Sequence, residues 1–231
     1  MTGKKNIEYS EKSINFVTGC YGVVNGTCAV GMNCWAYKMS FRQAGRNGYP
    51  AKPNQFKPTF HEERLKEPLR RKKPTNYACC FMGDIAYAKK EWLVKIINMV
   101  NQCPQHRFIF LTKRPDLLAK MNLVFPDNCI VGVTVNREED AWRIKTLAQI
   151  MAKWKWVSFE PIYGRLKFIP NLLDIQWAVI GAQTNPELQP DKEGVSILIE
   201  CFKVNHIPVF LKPNLKGFPP MQELPAMLRR D

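Results

Sequence analysis

The hydrophobic positions of this chain fall into short, nearly continuous runs separated by longer stretches that carry a single apolar face. Runs at 77–82, 108–111, 130–135, 156–159, 177–180 and 209–211 are rich in β-branched and aromatic residues, and 14–17 makes a seventh. Between them, 34–44, 90–101, 115–121, 138–151 and 195–205 repeat apolar residues at helical spacing. Strands that are apolar at almost every position must be covered on both faces, as in a parallel sheet flanked by helices. The alternation predicts an α/β fold: a partial or near-complete parallel (β/α) barrel of TIM type with six or seven strands, as one domain over 1–231. The interval 45–75 breaks the pattern, because Gly45, Gly48, Pro50, Pro53, Pro58, Pro68 and Pro74 punctuate it, and it reads as an irregular insertion.

In such a barrel the functional side chains sit just after the strands, at the C-terminal mouth. The strand ends here carry Gly83 and Asp84, Lys113, Thr134 and Asn136, Ser158 and Glu160, Gly181, and Lys212. Glu160 and Lys212, an acid and a base at neighbouring strand ends, form the candidate catalytic pair, able to orient a substrate or transfer a proton. The first run leads into Thr18-Gly19-Cys20, followed by Cys28 and Cys34 on a loop with Gly22, Gly26 and Gly31. Three thiolates on one such loop can hold a four-iron cluster and leave its fourth iron open, so Cys20, Cys28 and Cys34 are the candidate metal ligands. The remaining cysteines, Cys79, Cys80, Cys103, Cys129 and Cys201, lie in or beside apolar segments, where a thiol behaves as a small buried hydrophobe.

A content of 45% hydrophobic and 23% charged residues places the chain among ordinary globular proteins. It has no long apolar span and no charged-then-apolar leader, so a cytoplasmic protein without a membrane partner is expected. Eight cysteines in a chain of 231 residues fit a reducing compartment better than a small disulfide scaffold. The net charge is +14, and residues 34–75 hold eleven basic side chains against three acidic ones, densest at Arg70, Arg71, Lys72 and Lys73. A field of that sign attracts polyanions, so nucleic acid or a phosphorylated substrate is the expected partner. Following the cysteine loop in the chain, this basic segment is expected beside the barrel mouth.

Several pieces, spread through nearly the whole chain, occur together: Thr18-Gly19-Cys20 with Asn33-Cys34-Trp35-Ala36, Phe60-His61-Glu62-Glu63-Arg64-Leu65, Met82-Gly83-Asp84, Leu111-Thr112-Lys113-Arg114-Pro115, Val131-Gly132-Val133-Thr134-Val135-Asn136, Val157-Ser158-Phe159-Glu160-Pro161 and Val179-Ile180-Gly181. In these the chain resembles the radical S-adenosylmethionine-like proteins of phages and prokaryotes, a family of unknown function. The resemblance implies a partial β/α barrel whose three cysteines bind a 4Fe-4S cluster, with S-adenosylmethionine on the open iron. One-electron reduction would release a 5'-deoxyadenosyl radical that takes hydrogen from a nucleic acid or nucleotide, the electron coming from a donor such as ferredoxin or flavodoxin. It further implies that Gly83 and Asp84 meet the methionine amino group and that Thr134 and Asn136 contact the ribose. Lys113 or Lys212 pairs with the carboxylate, Ser158 lies among the cofactor positions, and the loop opening at Gly181 flanks adenine. The spacing departs from the common C-x3-C-x2-C pattern of that superfamily, with seven residues between Cys20 and Cys28 and five between Cys28 and Cys34.

A competing reading is a non-catalytic nucleic-acid-binding module on a degenerate barrel, stabilised by an iron-sulfur cluster or by zinc with a fourth ligand such as His61. Tetrahedral zinc favours close cysteine pairs, which this spacing lacks. Tyr37, one helical turn past Cys34, either leans over the cysteines or packs in a core.

Overall fold

The computed structural model describes residues 7–28, 30–166, 172 and 174–229. Along the chain these form β1 (Lys12–Ile14), β2 (Val17–Thr18), α1 (Trp35–Gln43), β3 (Thr59–Phe60), α2 (Lys66–Arg70), β4 (Asn76–Cys79), α3 (Lys90–Asn101), β5 (Arg107–Thr112), α4 (Pro115–Ala119), β6 (Cys129–Thr134), α5 (Trp142–Leu147), β7 (Trp154–Phe159), β8 (Trp177–Ile180), β9 (Gln183–Thr184), β10 (Glu187–Leu188), α6 (Lys192–Val204) and β11 (Val209–Leu211). Seven strands pair in the order β1-β4-β5-β6-β7-β8-β11. Every pair is parallel. Because β1 and β11 remain edges, the sheet curls into a half-barrel and does not close.

The expected strand count holds, but the first edge lies elsewhere than at 14–17. Asn15 interrupts that apolar run: its side chain accepts from the Met82 amide at 2.9 Å, and its carbonyl accepts from Arg64 at 2.8 Å. The strand therefore ends at Ile14, and Val17–Thr18 turns away to pair antiparallel with β3. The predicted helix at 138–151 also splits, into a 3₁₀ turn at Glu138–Asp140 and the short α5.

Alternation along the strands separates two apolar layers. Outward-facing Phe108, Phe110, Val131, Val133, Val157 and Phe159 pack against the buried stripes of α3, α5 and α6. The concave side is filled by Ile109, Ile130, Trp156, Trp177, Val179 and Phe210, with Tyr9 from the start of the chain and Met227 and Leu228 from its end. Trp156 and Trp177 stack at 4.9 Å between ring centres, and Tyr9 meets both edge-on. Each indole N–H is satisfied, donating to the carbonyls of Phe110 and Glu223. A buried ring of this size removes about 150–250 Å² from water, worth roughly 4–6 kcal/mol as an upper figure.

The position opposite Trp156 on β6 is Gly132, where a Cβ would lie 2.4 Å from the indole. The end of the chain passes beneath the sheet, its Met227 and Leu228 carbonyls accepting from Arg107 and Asn76 at the N-terminal ends of β5 and β4. With these segments closing the bottom of the concave side, its open end is at the C-terminal ends of the strands.

Candidate functional site

A cavity of about 480 Å³ opens there, within the roughly 300–1,000 Å³ typical of small-molecule sites. Cys20, Cys28 and Cys34 all line it. All three are free thiols, each partly buried. The loop bearing them is fastened by backbone contacts: Gly19 N–H donates to Met82, Cys20 N–H to Phe56, and Gly19 C=O accepts from Asp84 N–H. Gly19 and Gly83 touch backbone to backbone, so closely that a Cβ on Gly83 would lie 2.4 Å from the Gly19 carbonyl oxygen. Beneath the loop Val23, Ala36, Tyr49, Phe56 and Met82 form a small separate core. Tyr37 belongs to that packing, edge-on to Phe41 and Phe56.

Burial, then the nearby Asp84 carboxylate, push the Cys20 thiol up to about 12, although its sulfur accepts from the Gly22 amide at 3.1 Å. Such a thiol gives up its proton when a cationic centre takes the proton's place. In chemical type, three soft sulfurs around one cavity are the donors that an iron-sulfur group takes. Among the described residues no three His, Cys, Asp or Glu side chains converge on a single metal ion. One zinc ion would draw thiolates to within about 4 Å of each other, whereas a cubane attaches each to a different corner and spaces them wider. His61 is committed elsewhere: it is buried and shares a 2.8 Å hydrogen bond between Nε2 and the Thr18 hydroxyl.

The strand-end residues divide into those facing the cavity and those bracing it. Lys113, Thr134, Ser158, Glu160 and Lys212 face it. Among the described residues the Thr134 hydroxyl is buried without a partner, a polar atom left for something in the cavity. Its carbonyl accepts from Arg143, which is itself buried and paired with Asp140 at 2.7 Å. Asp84 reaches the cavity wall, but its carboxylate already accepts from Thr112 Oγ1 at 2.6 Å, Lys113 N at 2.8 Å and Ala86 N at 3.0 Å. It clamps the ends of β4 and β5 together.

Asn136 does not line the cavity. It is fully buried, its Nδ2 donates to the Pro161 carbonyl at 2.7 Å, and its backbone N–H donates to Asp140, so it pins the turn after β7. Gly181 likewise sits behind the wall, leaving space for the side chains of Lys212 and Glu160. The loop that follows it does line the cavity, through residues 182–185.

Lys212 Nζ lies 2.7 Å from Glu160 Oε1 and 2.9 Å from Glu8 Oε2. Burial alone would lower its pKa, but the charge and hydrogen bond of Glu160, with those of Glu8, hold the ammonium above the usual lysine range. Lys212 is therefore a fixed cation at the cavity floor and not a proton acceptor. Glu8 and Tyr9 are cavity-region residues without any local sequence signal, because they arrive from the distant start of the chain, and Tyr163 follows closely on Glu160.

Arg70, Arg71, Lys72 and Lys73 lie at the opposite end of the sheet from the cavity. Arg71 donates to Thr75, just before β4, and its carbonyl meets His106, just before β5. They line a separate surface depression with Glu63, Lys66 and Glu67. The expectation that this cluster flanks the mouth is corrected: a parallel β4 must begin at the bottom, so the chain has to travel there first.

Set against known families, residues 4–213 match the model described as a protein of unknown function (DUF5131). The chain belongs to this family. No curated protein and no solved structure matches it. The matched span of this DUF5131 member includes the cysteine loop and every strand of the half-barrel. No helix among the described residues is long and apolar enough to cross a membrane.

Proposed function

We propose that this DUF5131 protein is a radical S-adenosylmethionine iron-sulfur enzyme acting on a nucleic-acid or nucleotide substrate. The observation that carries the reading is the opening of three free cysteines onto one cavity at the C-terminal mouth of a parallel half-barrel, beside an unpartnered buried hydroxyl. Cys20, Cys28 and Cys34 are the residues that would hold the cluster. A cluster held there and reduced by an external electron donor would supply one-electron chemistry for cleaving the C–S bond of S-adenosylmethionine and, through it, for removing a hydrogen atom from substrate.

The chain's own part is placement and exclusion of water. Lys113, with no ion-pair partner among the described residues, offers its ammonium to a carboxylate. Thr134 Oγ1 and Ser158 offer hydrogen bonds to a sugar, and the loop 182–185 walls the far side. Val23, Phe81 and Leu111 supply apolar surface that keeps bulk water from a reactive intermediate. The ion pair of Lys212 with Glu160 and Glu8 fixes the floor.

The test is iron and acid-labile sulfide content after anaerobic reconstitution. The expected result is about four of each per chain, with neither retained in Cys20→Ala, Cys28→Ala or Cys34→Ala. Iron retained in all three variants, or zinc without sulfide in the wild type, overturns the reading.

A further inference from the structure

The outer face of α1 continues the rim of the cavity and is built differently from the rest of the surface. Trp35 and Lys38 line the cavity entrance, and Trp35, although a tryptophan, is 57% exposed. On a helix Trp35, Lys38 and Arg42 share one face over about 10 Å, and Phe41, 42% exposed, lies beside them. Lys52 brings its ammonium to 5.8 Å from the Phe41 ring. Lys38, Arg42, Arg46, Lys52 and Lys57 are all exposed, and none makes a salt bridge among the described residues. Between positions 12 and 61 the sequence contains no Asp or Glu at all, so the 20 acidic residues of the chain lie outside the cysteine loop, α1 and the segment leading to β3. These segments carry positive charge with no acidic residue of their own, while Asp84 and Glu160 lie in the cavity wall.

We propose that this face binds single-stranded nucleic acid, with a base stacked on Trp35 and phosphates on Lys38, Arg42 and Lys52, so that the neighbouring nucleotide is presented to the cavity. The proposal rests on the reading of the cavity as the reactive site and names its substrate class. Of the forms of a nucleic acid, one with unpaired bases can cover the π-face of an exposed indole, and cations spaced along one helix face suit a phosphate backbone. A duplex keeps its bases in the stack. Single strands and loops, whose unstacked bases are the ordinary targets of aromatic and basic protein faces, are the occupants favoured by this arrangement, and neither stacking nor phosphate contact depends on the sugar. The depression at Arg70, Arg71, Lys72 and Lys73, interleaved with Glu63 and Glu67, has no comparable ring and lies at the far end of the fold.

Fluorescence anisotropy of a labelled single-stranded RNA with the full chain, without reductant or S-adenosylmethionine, tests this. The wild type is expected to bind that strand, and a DNA strand of the same sequence, more tightly than an RNA duplex. Trp35→Ala is expected to weaken binding about 5- to 150-fold, the effect of removing one stacking platform, and Trp35→Tyr to restore most of it. Replacing Lys38, Arg42 and Lys52 with Gln should lower the slope of log K against log salt by about 0.7 for each phosphate that is no longer neutralised. Wild-type affinity in Trp35→Ala, equal or tighter binding of the duplex, or loss of binding only when Arg70, Arg71, Lys72 and Lys73 become Gln, overturns the proposal. Binding is read without the redox reaction, so a protein that cleaves S-adenosylmethionine but ignores Trp35 refutes the face alone, and one that binds RNA through Trp35 without cluster chemistry refutes the enzyme alone.

Discussion

Lys212 holds Glu160 at 2.7 Å while also reaching Glu8, so one ammonium at the cavity floor joins the last strand of the sheet to the turn after β7 and to the start of the chain. Removing the cation leaves two carboxylates facing each other, both still partly in contact with water. Lys212→Met is expected to cost about 1–3 kcal/mol, less than for a fully buried pair. Lys212→Met with Glu160→Gln should recover part of that loss. Urea unfolding of both variants measures it, and a double variant no more stable than the single one contradicts the pairing.

Gly83 can be only glycine where it meets Gly19. A Cβ there would collide with the Gly19 backbone, so Gly83→Ala must move the root of the cysteine loop. The expected outcome is far-UV circular dichroism close to wild type with reconstituted iron cut at least severalfold. Full iron loading in the variant would show that the loop is not anchored through this contact.

Gly132 leaves room for the Trp156 indole, and Gly132→Ala overfills a layer already closed by Trp177 and Tyr9. Overpacking of this kind costs about 1–3 kcal/mol. Thermal unfolding should show the drop, and Gly132→Ala with Trp156→Phe should be less destabilised than the sum of the two single changes.

His61 gives a pH signature. Burial, and then the charge of Arg64, lower its pKa to about 4 from the ordinary 6.5, with Glu63 opposing. Between those values the unfolded chain binds a proton that the folded chain refuses, so this contribution to stability is whole above pH 6.5 and is lost as pH falls toward 4. The loss amounts to about 3 kcal/mol. From about pH 7 to pH 4.5, unfolding free energies should fall further for the wild type than for His61→Phe; equal falls contradict the assignment.

The half-barrel was legible because β5 through β8 are apolar on both faces, a pattern that only a covered parallel sheet satisfies. Asn15 shows where that reading slips, since one polar residue inside an apolar run ends a strand by bonding across to Met82. The three cysteines were found by type and by glycine-rich context, and they do share a cavity. Asp84 and Asn136 stand at strand ends as binding residues do, yet the Asp84 carboxylate is taken up by Thr112 and two backbone amides and the Asn136 Nδ2 by the Pro161 carbonyl, a choice made by three-dimensional neighbours. Glu8 and Tyr9 reach the site across the open side of the sheet, and no local motif announces that. Arg70, Arg71, Lys72 and Lys73 were placed by their nearness in sequence to the cysteine loop. The parallel sheet itself required the opposite end.

The most direct measurement of the central claim is the product analysis of anaerobically reconstituted protein given dithionite and S-adenosylmethionine. The account predicts 5'-deoxyadenosine and methionine from the wild type and neither from Cys20→Ala, Cys28→Ala or Cys34→Ala. A cluster-loaded, reduced wild type that leaves S-adenosylmethionine intact, or product formed equally by the cysteine variants, contradicts it.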